Sequence, residues 1–236
     1  MKNIKNLVIL YLLLIALLSI NNAVAKAVFD KPYFDAENIK PNVIDSPALL
    51  DSKELQEEIK QIIKLQQNIE LKDIDLALDE KEMRVELITE YVNSNLTQNK
   101  LPKLYNLLTK VGATSYFATN KIKNHYKLTR PYLANKSVQA IISPSKGYSY
   151  PSGHTTGSYL WAFVLSQLIP KQADDFKNRA QQIAWHRVQM GMHYPQDIKG
   201  GKQLALILFN NLMNNHNFLQ DFNDALAELK QNNLIK

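Results

Sequence analysis

Residues 151–169 read PSGHTTGSYLWAFVLSQLI. The Pro-Ser-Gly opening is a turn signal, and Tyr159 to Leu165 is an unbroken run of seven apolar residues. That run is too short to cross a membrane, which takes roughly 20 apolar residues. It predicts a helix from about His154 to Ile169 that is buried on most of its sides.

The flanks extend the same pattern. Residues 143–153 carry Pro, Ser and Gly signals and read as a loop. Before the loop, Pro102 suits the first turn of a helix. Leu104, Leu107, Leu108, Val111 and Ala118 continue its apolar face to about Lys127. Arg130-Pro131 ends it, because a residue before proline avoids the helical region. After the buried helix, Asp174 to about Gly191 reads as helix. Pro195 then opens a last core helix bearing Leu204, Leu206, Ile207, Leu208, Leu212 and Met213. Toward the N-terminus, Asp51 and Glu54 resemble a capping box with Asp51 as the cap. Leu55, Ile59, Ile62 and Ile63 follow at helical spacing. A further helix is predicted over Glu80 to Val92. Residues 26–50 hold Pro32, Pro41 and Pro47 without periodicity and read as an extended arm. No alternating strand run, internal repeat or splitting linker is found. The predicted fold class is all-α, with one helical domain over residues 51–236.

Composition narrows the chemistry. The chain has 236 residues, a formal net charge of +6 and no cysteine. A disulfide framework, a thiolate metal site and a cysteine nucleophile are therefore excluded. Met1 to Ala25 has a basic start at Lys2 and Lys5, an apolar run from Leu7 to Ile20, and a small-x-small end at Ala23-Val24-Ala25. This is the layout of a cleaved secretory signal peptide. Its removal, with two lysines and no acid, leaves 211 residues and a net charge of +4. The expected destination is a bacterial periplasm or the medium, with no membrane span after cleavage. The lysines are scattered rather than massed, so nucleic-acid binding is not expected. Oligomeric state is not legible, and a homo-oligomer stays open.

The reactive side chains stand at predicted helix ends. Lys123 and Arg130 close one helix, and Ser152-Gly153-His154 open the buried one. Arg187 ends the next, His193 follows in a turn, and Asp197 lies in the first turn after Pro195. A helix N-terminus favours an anion through its free N–H groups and dipole. Gly153 allows close backbone approach, and Ser152 has a hydroxyl to donate. Arg130 and Arg187 offer planar forks suited to phosphoryl oxygens, and Lys123 adds a point charge. His154 and His193 titrate near neutrality and suit acid and nucleophile duties. Asp197 can hold the other ring nitrogen of His193. Singly, each feature has a plainer reading: a turn with its cap, a surface arginine, a local His–Asp bond or half of a metal pair. No third clustered ligand completes a metal site, so neither metal nor cofactor is expected.

Together the features form an ordered set: Lys123, six residues, Arg130-Pro131; Pro151-Ser152-Gly153-His154; and Arg187, five residues, His193, three residues, Asp197. This set resembles the three-part signature of the phosphatidic acid phosphatase type 2 superfamily, shared with vanadium haloperoxidases. Leu101-Pro102, His125-Tyr126 and residues 149–155 (SYPSGHT) look like bacterial class A nonspecific acid phosphatases. The resemblance is firm over about Leu101 to Gly201 and loose elsewhere. It implies the helical bundle of the acid phosphatase and haloperoxidase type. It also implies a metal-independent, broad-specificity phosphomonoesterase with a phosphohistidine intermediate. In that pattern His193 attacks phosphorus, His154 serves the leaving group, and Asp197 orients His193. Lys123, Arg130, Ser152, Gly153 and Arg187 hold the phosphate. A small phosphomonoester is the implied substrate, inorganic phosphate the product, and vanadate an inhibitor. A lipid phosphate phosphatase, a haloperoxidase and a non-catalytic phosphate-binding protein are the alternatives. One departure stands out: His186 occupies the position where the family usually has Ser, either as an extra phosphate donor or as a packing group.

Overall fold

Every regular element among the described residues, 32–35 and 38–236 of the computed structural model, is helical. In chain order the α-helices are Lys53–Gln66 (α1), Leu71–Asp79 (α2), Thr89–Val92 (α3), Pro102–Tyr126 (α4), Pro131–Ala134 (α5), Gly153–Leu168 (α6), Ala173–Gln189 (α7), Pro195–Leu212 (α8) and His216–Gln231 (α9). Short 3-10 turns lie at Pro41–Val43, Val85–Leu87 and Pro170–Gln172. The signal segment Met1–Ala25 falls outside the described residues. No helix among the described residues is long and apolar enough to cross a membrane.

Prolines set three of the starts. Pro102, Pro131 and Pro195 each stand at the head of α4, α5 and α8, where a missing N–H costs nothing. α4 stops because Lys127 turns left-handed, with φ 53°. Arg130, held extended by the proline after it, then swings out of the helix line.

The buried run forms α6, which packs against α7, α8 and α4. Leu160, Ala162, Val164 and Leu165 are fully inaccessible. Truncating one such leucine to alanine would cost about 2–5 kcal/mol. Three of its hydroxyls are satisfied inside the helix: Thr156 Oγ1 donates to the Ser152 carbonyl at 2.9 Å, Ser158 Oγ to Thr155 at 3.3 Å and Ser166 Oγ to Ala162 at 2.6 Å. Trp161 Nε1 donates across to the Leu108 carbonyl at 2.7 Å and ties α6 to α4.

Three expectations change. Ser52, not Asp51, caps α1; its hydroxyl accepts from Leu55 N. The helix expected over Glu80–Val92 is replaced by α2 before it, a 3-10 turn and the short α3. The chain turns at Glu80 because that side chain enters the core, fully buried. Val85, Leu87 and Ile88 are buried without a helix to carry them. Third, the helix opened by Pro195 is not the last, because His216 opens the separate helix α9. α9 has a clear structural task. Leu101 gives α4 no side-chain cap, and the Glu228 carboxylate accepts from Lys103 N at 3.0 Å and Leu104 N at 2.9 Å. A carboxylate there also meets the positive end of the α4 dipole.

The end of the arm lies along α8. Ala48 N donates to Gln196 Oε1 at 2.7 Å, and Gln203 Nε2 donates to Asp45 Oδ2 at 2.8 Å.

Candidate active site

A cavity of about 350 Å³ opens between α4, α6 and residues 81–83. Lys123, Arg130, Gly153, His154 and His193 share its wall. Ser152, Arg187 and Asp197 stand behind that wall, each almost wholly buried. Residues from three distant stretches of sequence thus converge on one end of one cavity.

His193 follows the turn that leaves α7. Gly191 makes that turn with φ +72°, and a Cβ there would lie 2.2 Å from the Gln139 carbonyl oxygen. The turn is fastened by Met192 N and His193 N, which donate to the Arg187 carbonyl. Nδ1 of His193 lies 2.9 Å from Asp197 Oδ2. A carboxylate in that position accepts, so the ring proton sits on Nδ1 and Nε2 carries the lone pair. Asp197 Oδ2 also accepts from Tyr194 N at 3.0 Å and from Ser149 Oγ at 2.5 Å. Burial raises the Asp197 carboxyl, opposed chiefly by the Ser149 bond and the Lys123 charge. Burial, then Arg130, Lys123 and Arg187, hold His193 well below the usual histidine range, so its imidazole stays neutral into acid solution.

The three cations are held differently. Lys123 donates to the Tyr148 and Ser149 carbonyls, both at 2.7 Å, and has one ammonium hydrogen beyond those two. Burial and the Arg130 charge lower it. Arg130 donates from Nη1 to Met192 O at 2.9 Å and from Nε to Gly147 O at 3.0 Å. Its Nη1 also lies 3.1 Å from His193 Nε2. Arg187 is 1% exposed, and its Nε and Nη1 have no hydrogen-bond partner among the described residues. Burial lowers it only to about 10, so it keeps its charge near neutrality. A buried guanidinium with unused donors, beside two other cations, is suited to a multiply charged oxyanion.

Ser152 caps α6, its Oγ accepting from Thr155 N at 3.3 Å. His154 stands one residue beyond Gly153 in the first turn. Its Nε2 lies 3.0 Å from the Glu80 carbonyl and 3.2 Å from the Lys81 carbonyl. Carbonyls only accept, so Nε2 bears a proton and Nδ1 is the nitrogen left to exchange one. Burial and then the Arg187 charge push His154 down to about 3.

His186 does not reach the cavity. Its Nδ1 lies 2.8 Å from Glu80 Oε2, and Arg179 Nη1 lies 2.8 Å from Glu80 Oε1. The residue that replaces the usual Ser is therefore half of the packing that holds Glu80. Glu80 and Ser149 were not among the expected site residues. Glu80 meets His154 across 74 positions, and no local spacing announces such a pair. Ser149 lies two residues before Pro151, close enough to suspect, but its bond to Asp197 spans 48 positions.

Residues 104–220 match the model of the PAP2 superfamily. The chain is 30% identical over 161 residues to a non-specific acid phosphatase of Salmonella typhi, covering 63% of this chain and 62% of that protein. It is 33% identical over 153 residues to a non-specific acid phosphatase of Salmonella typhimurium, covering 61% and 58%. The matched stretches thus span about three fifths of those relatives' length. Among solved structures, a bacterial vanadium-dependent iodoperoxidase superposes with a TM-score of 0.59 at 16% identity, over 73% of this chain and 52% of that one. At that identity the likeness concerns the fold, which is the same all-α arrangement.

Proposed function

The chain carries a PAP2 superfamily domain over residues 104–220, and on that premise we propose that it is an exported acid phosphatase acting on phosphate monoesters. The observation that carries this reading is the pairing of His193 with Asp197 beside three buried cations at one end of a cavity.

In the proposed reaction, Nε2 of His193 attacks phosphorus while the phosphorus–alcohol bond breaks in line. His154, low in the free site because of burial and the Arg187 charge, takes its second proton when the bound phosphate dianion offsets that charge, and gives the Nδ1 proton to the leaving oxygen. The nitrogen–phosphorus bond then yields to water, whose proton returns to Nδ1 of His154. Two easier steps replace one difficult step. Lys123, Arg130, Arg187, Ser152 and the Gly153 amide hold the three equatorial oxygens, where charge spreads in the transition state. Asp197 fixes the reacting tautomer. The cations supply the charge that metal ions supply elsewhere, so the reaction is proposed to need no metal. Inorganic phosphate is the product, and vanadate, which mimics the five-coordinate phosphorus, inhibits. Residues 1–25 direct export to the periplasm or medium and are removed, and residues 51–236 act as a single domain.

The test is hydrolysis of p-nitrophenyl phosphate from pH 4 to 8, with and without chelator, by the wild-type protein and by His193→Ala. The expected result is acid-side, chelator-resistant turnover and a base-stable, acid-labile phosphoenzyme, all lost in the variant. Wild-type turnover in His193→Ala would show that the nucleophile is another group, and chelator inactivation would overturn the metal-free step.

A further inference from the structure

The cavity continues beyond the cations, and its character changes along its length. A Cβ built at Gly153 would lie 3.7 Å from the Thr119 methyl, one at Gly157 3.3 Å from Ser115 Oγ, and one at Gly112 2.9 Å from Trp161 Cζ2. These contacts give α4 and α6 an antiparallel register of 119 with 153, 115 with 157 and 112 with 161. All six residues line the cavity. From residue 153 to residue 161 the seam runs about 12 Å at 1.5 Å per residue.

At the cation end the seam is polar and its polarity is unspent: Thr119 is 2% exposed, and its Oγ1 has no hydrogen-bond partner among the described residues. Away from that end the polar groups are already engaged. Ser115 Oγ donates to the Gly112 carbonyl, and Trp161 Nε1 to the Leu108 carbonyl. There the wall is bare glycine backbone, the indole of Trp161 and the side chains of Met83 and Tyr116, while Lys81, Glu82, Asn120 and Ser145 line the cavity elsewhere. A surface of that kind gains free energy by covering apolar area and offers few bonds to a sugar or polyol hydroxyl.

We propose that this seam is the leaving-group subsite, and that the chain selects phosphomonoesters whose alcohol part is apolar and compact, such as short alkyl or aryl phosphates. The inference rests on the phosphomonoesterase reading. Thr119 Oγ1 donates at the junction, to the ester oxygen, and the alcohol part lies along the seam toward Trp161. Sugar and polyol phosphates bury their hydroxyls there without partners, a mismatch that an apolar pocket rejects by up to about 10²-fold.

The test compares hexyl phosphate with glycerol 1-phosphate. Both release a primary alcohol, so the difference reports binding of the alcohol part and not intrinsic reactivity. The full-length protein is expected to favour hexyl phosphate in kcat/KM by roughly tenfold or more. Two variants then address the seam. Met83→Gln keeps the volume but makes that side polar. Gly157→Ala places a methyl 3.0 Å from the Met83 methyl, which is a flexible tip that gives way. Each is expected to lower the hexyl-to-glycerol ratio several-fold. Equal kcat/KM for the two esters in the wild-type protein, or a ratio unmoved by both variants, overturns the subsite and leaves the phosphatase reading standing. Hydrolysis of neither ester overturns the phosphatase reading, and the subsite with it.

Discussion

Arg130 donates from Nη1 to Nε2 of His193 across 3.1 Å, so the proposed nucleophilic nitrogen rests against a guanidinium. Two backbone carbonyls, those of Met192 and Gly147, hold that guanidinium in place. The contact has two consequences. The charge disfavours a protonated imidazole, which keeps His193 neutral, and it occupies the lone pair until an oxyanion draws the donors away. Arg130 therefore acts on the nucleophile and on the phosphate from one position.

Arg130→Gln separates these effects by pH. Burial is the first cause of the lowered His193 pKa, and the Arg130 charge is the second. Removing a positive charge raises that pKa, so more of the imidazole is protonated at a given acid pH. The acid limb of the kcat/KM profile should move to higher pH, and the plateau should fall about 10²–10³-fold with the loss of one transition-state donor. An acid limb that stays put would mean that His193 does not set it.

Asp197→Asn should remove activity without removing the fold. Its Oδ2 is the shared acceptor for His193 Nδ1, Tyr194 N and Ser149 Oγ. An amide oxygen in the Oδ2 place keeps those bonds but removes the charge behind His193, whereas an amide nitrogen there gives up the Tyr194 bond. An amide nitrogen facing His193 would donate, forcing the ring to carry its proton on Nε2 and blocking attack. The expected loss in kcat is about 10³–10⁴-fold. Because burial already disfavours the ionised carboxylate, a neutral amide should leave the thermal midpoint within a few degrees of wild type, as circular dichroism would show.

Glu80 is the predicted weak point of the scaffold behind His154. Its carboxylate is fully buried between Arg179 and His186, and its carbonyl accepts from His154. Glu80→Ala leaves the buried Arg179 guanidinium without its carboxylate, at a cost of about 3–5 kcal/mol. His186→Ser keeps the Arg179 pair and should cost about 1.5–3 kcal/mol, in line with a lost charged-group hydrogen bond. Chemical denaturation should rank wild type above His186→Ser and His186→Ser above Glu80→Ala. The reverse order of the two variants would place the main anchor at His186.

Local chemistry made much of this architecture legible. Prolines at 102 and 195 mark true helix starts, and the apolar run at 159–165 marks the central helix; Pro131, read only as a helix end, also opens a short helix. The ordered Lys, Arg, Ser-Gly-His and Arg-His-Asp positions could be named because together they resemble a known three-part signature; the helix ends alone left each with a plainer reading. What escaped was set by contacts distant in sequence. Ser52 outcompetes Asp51 as a cap by one residue, which spacing alone does not resolve. The turn at Glu80 depends on Arg179 and His186, a hundred residues away, and overrides the helical pattern after it. α9 is amphipathic and polar enough to read as a tail until its Glu228 is seen capping α4.

Gly191→Ala tests how tightly the turn aims the nucleophile two residues later. The φ of +72° is costly for any residue with a Cβ, and the added carbon would fall 2.2 Å from the Gln139 carbonyl oxygen and 2.9 Å from Gln66 Nε2. The backbone oxygen cannot rotate away, so residues 190–193 must shift as a unit. The Arg187 carbonyl that anchors Met192 N and His193 N resists that shift from the other side. A displacement near 1 Å at a reacting atom costs about 10²-fold in rate. The expected result is a kcat lowered by about that factor while inhibition by inorganic phosphate weakens less, because Lys123 and the N-terminus of α6 lie outside the turn and Arg130, though it loses its Met192 anchor, keeps that on Gly147. Equal losses in kcat and in phosphate affinity would instead show that the turn carries the anion site as well as the nucleophile.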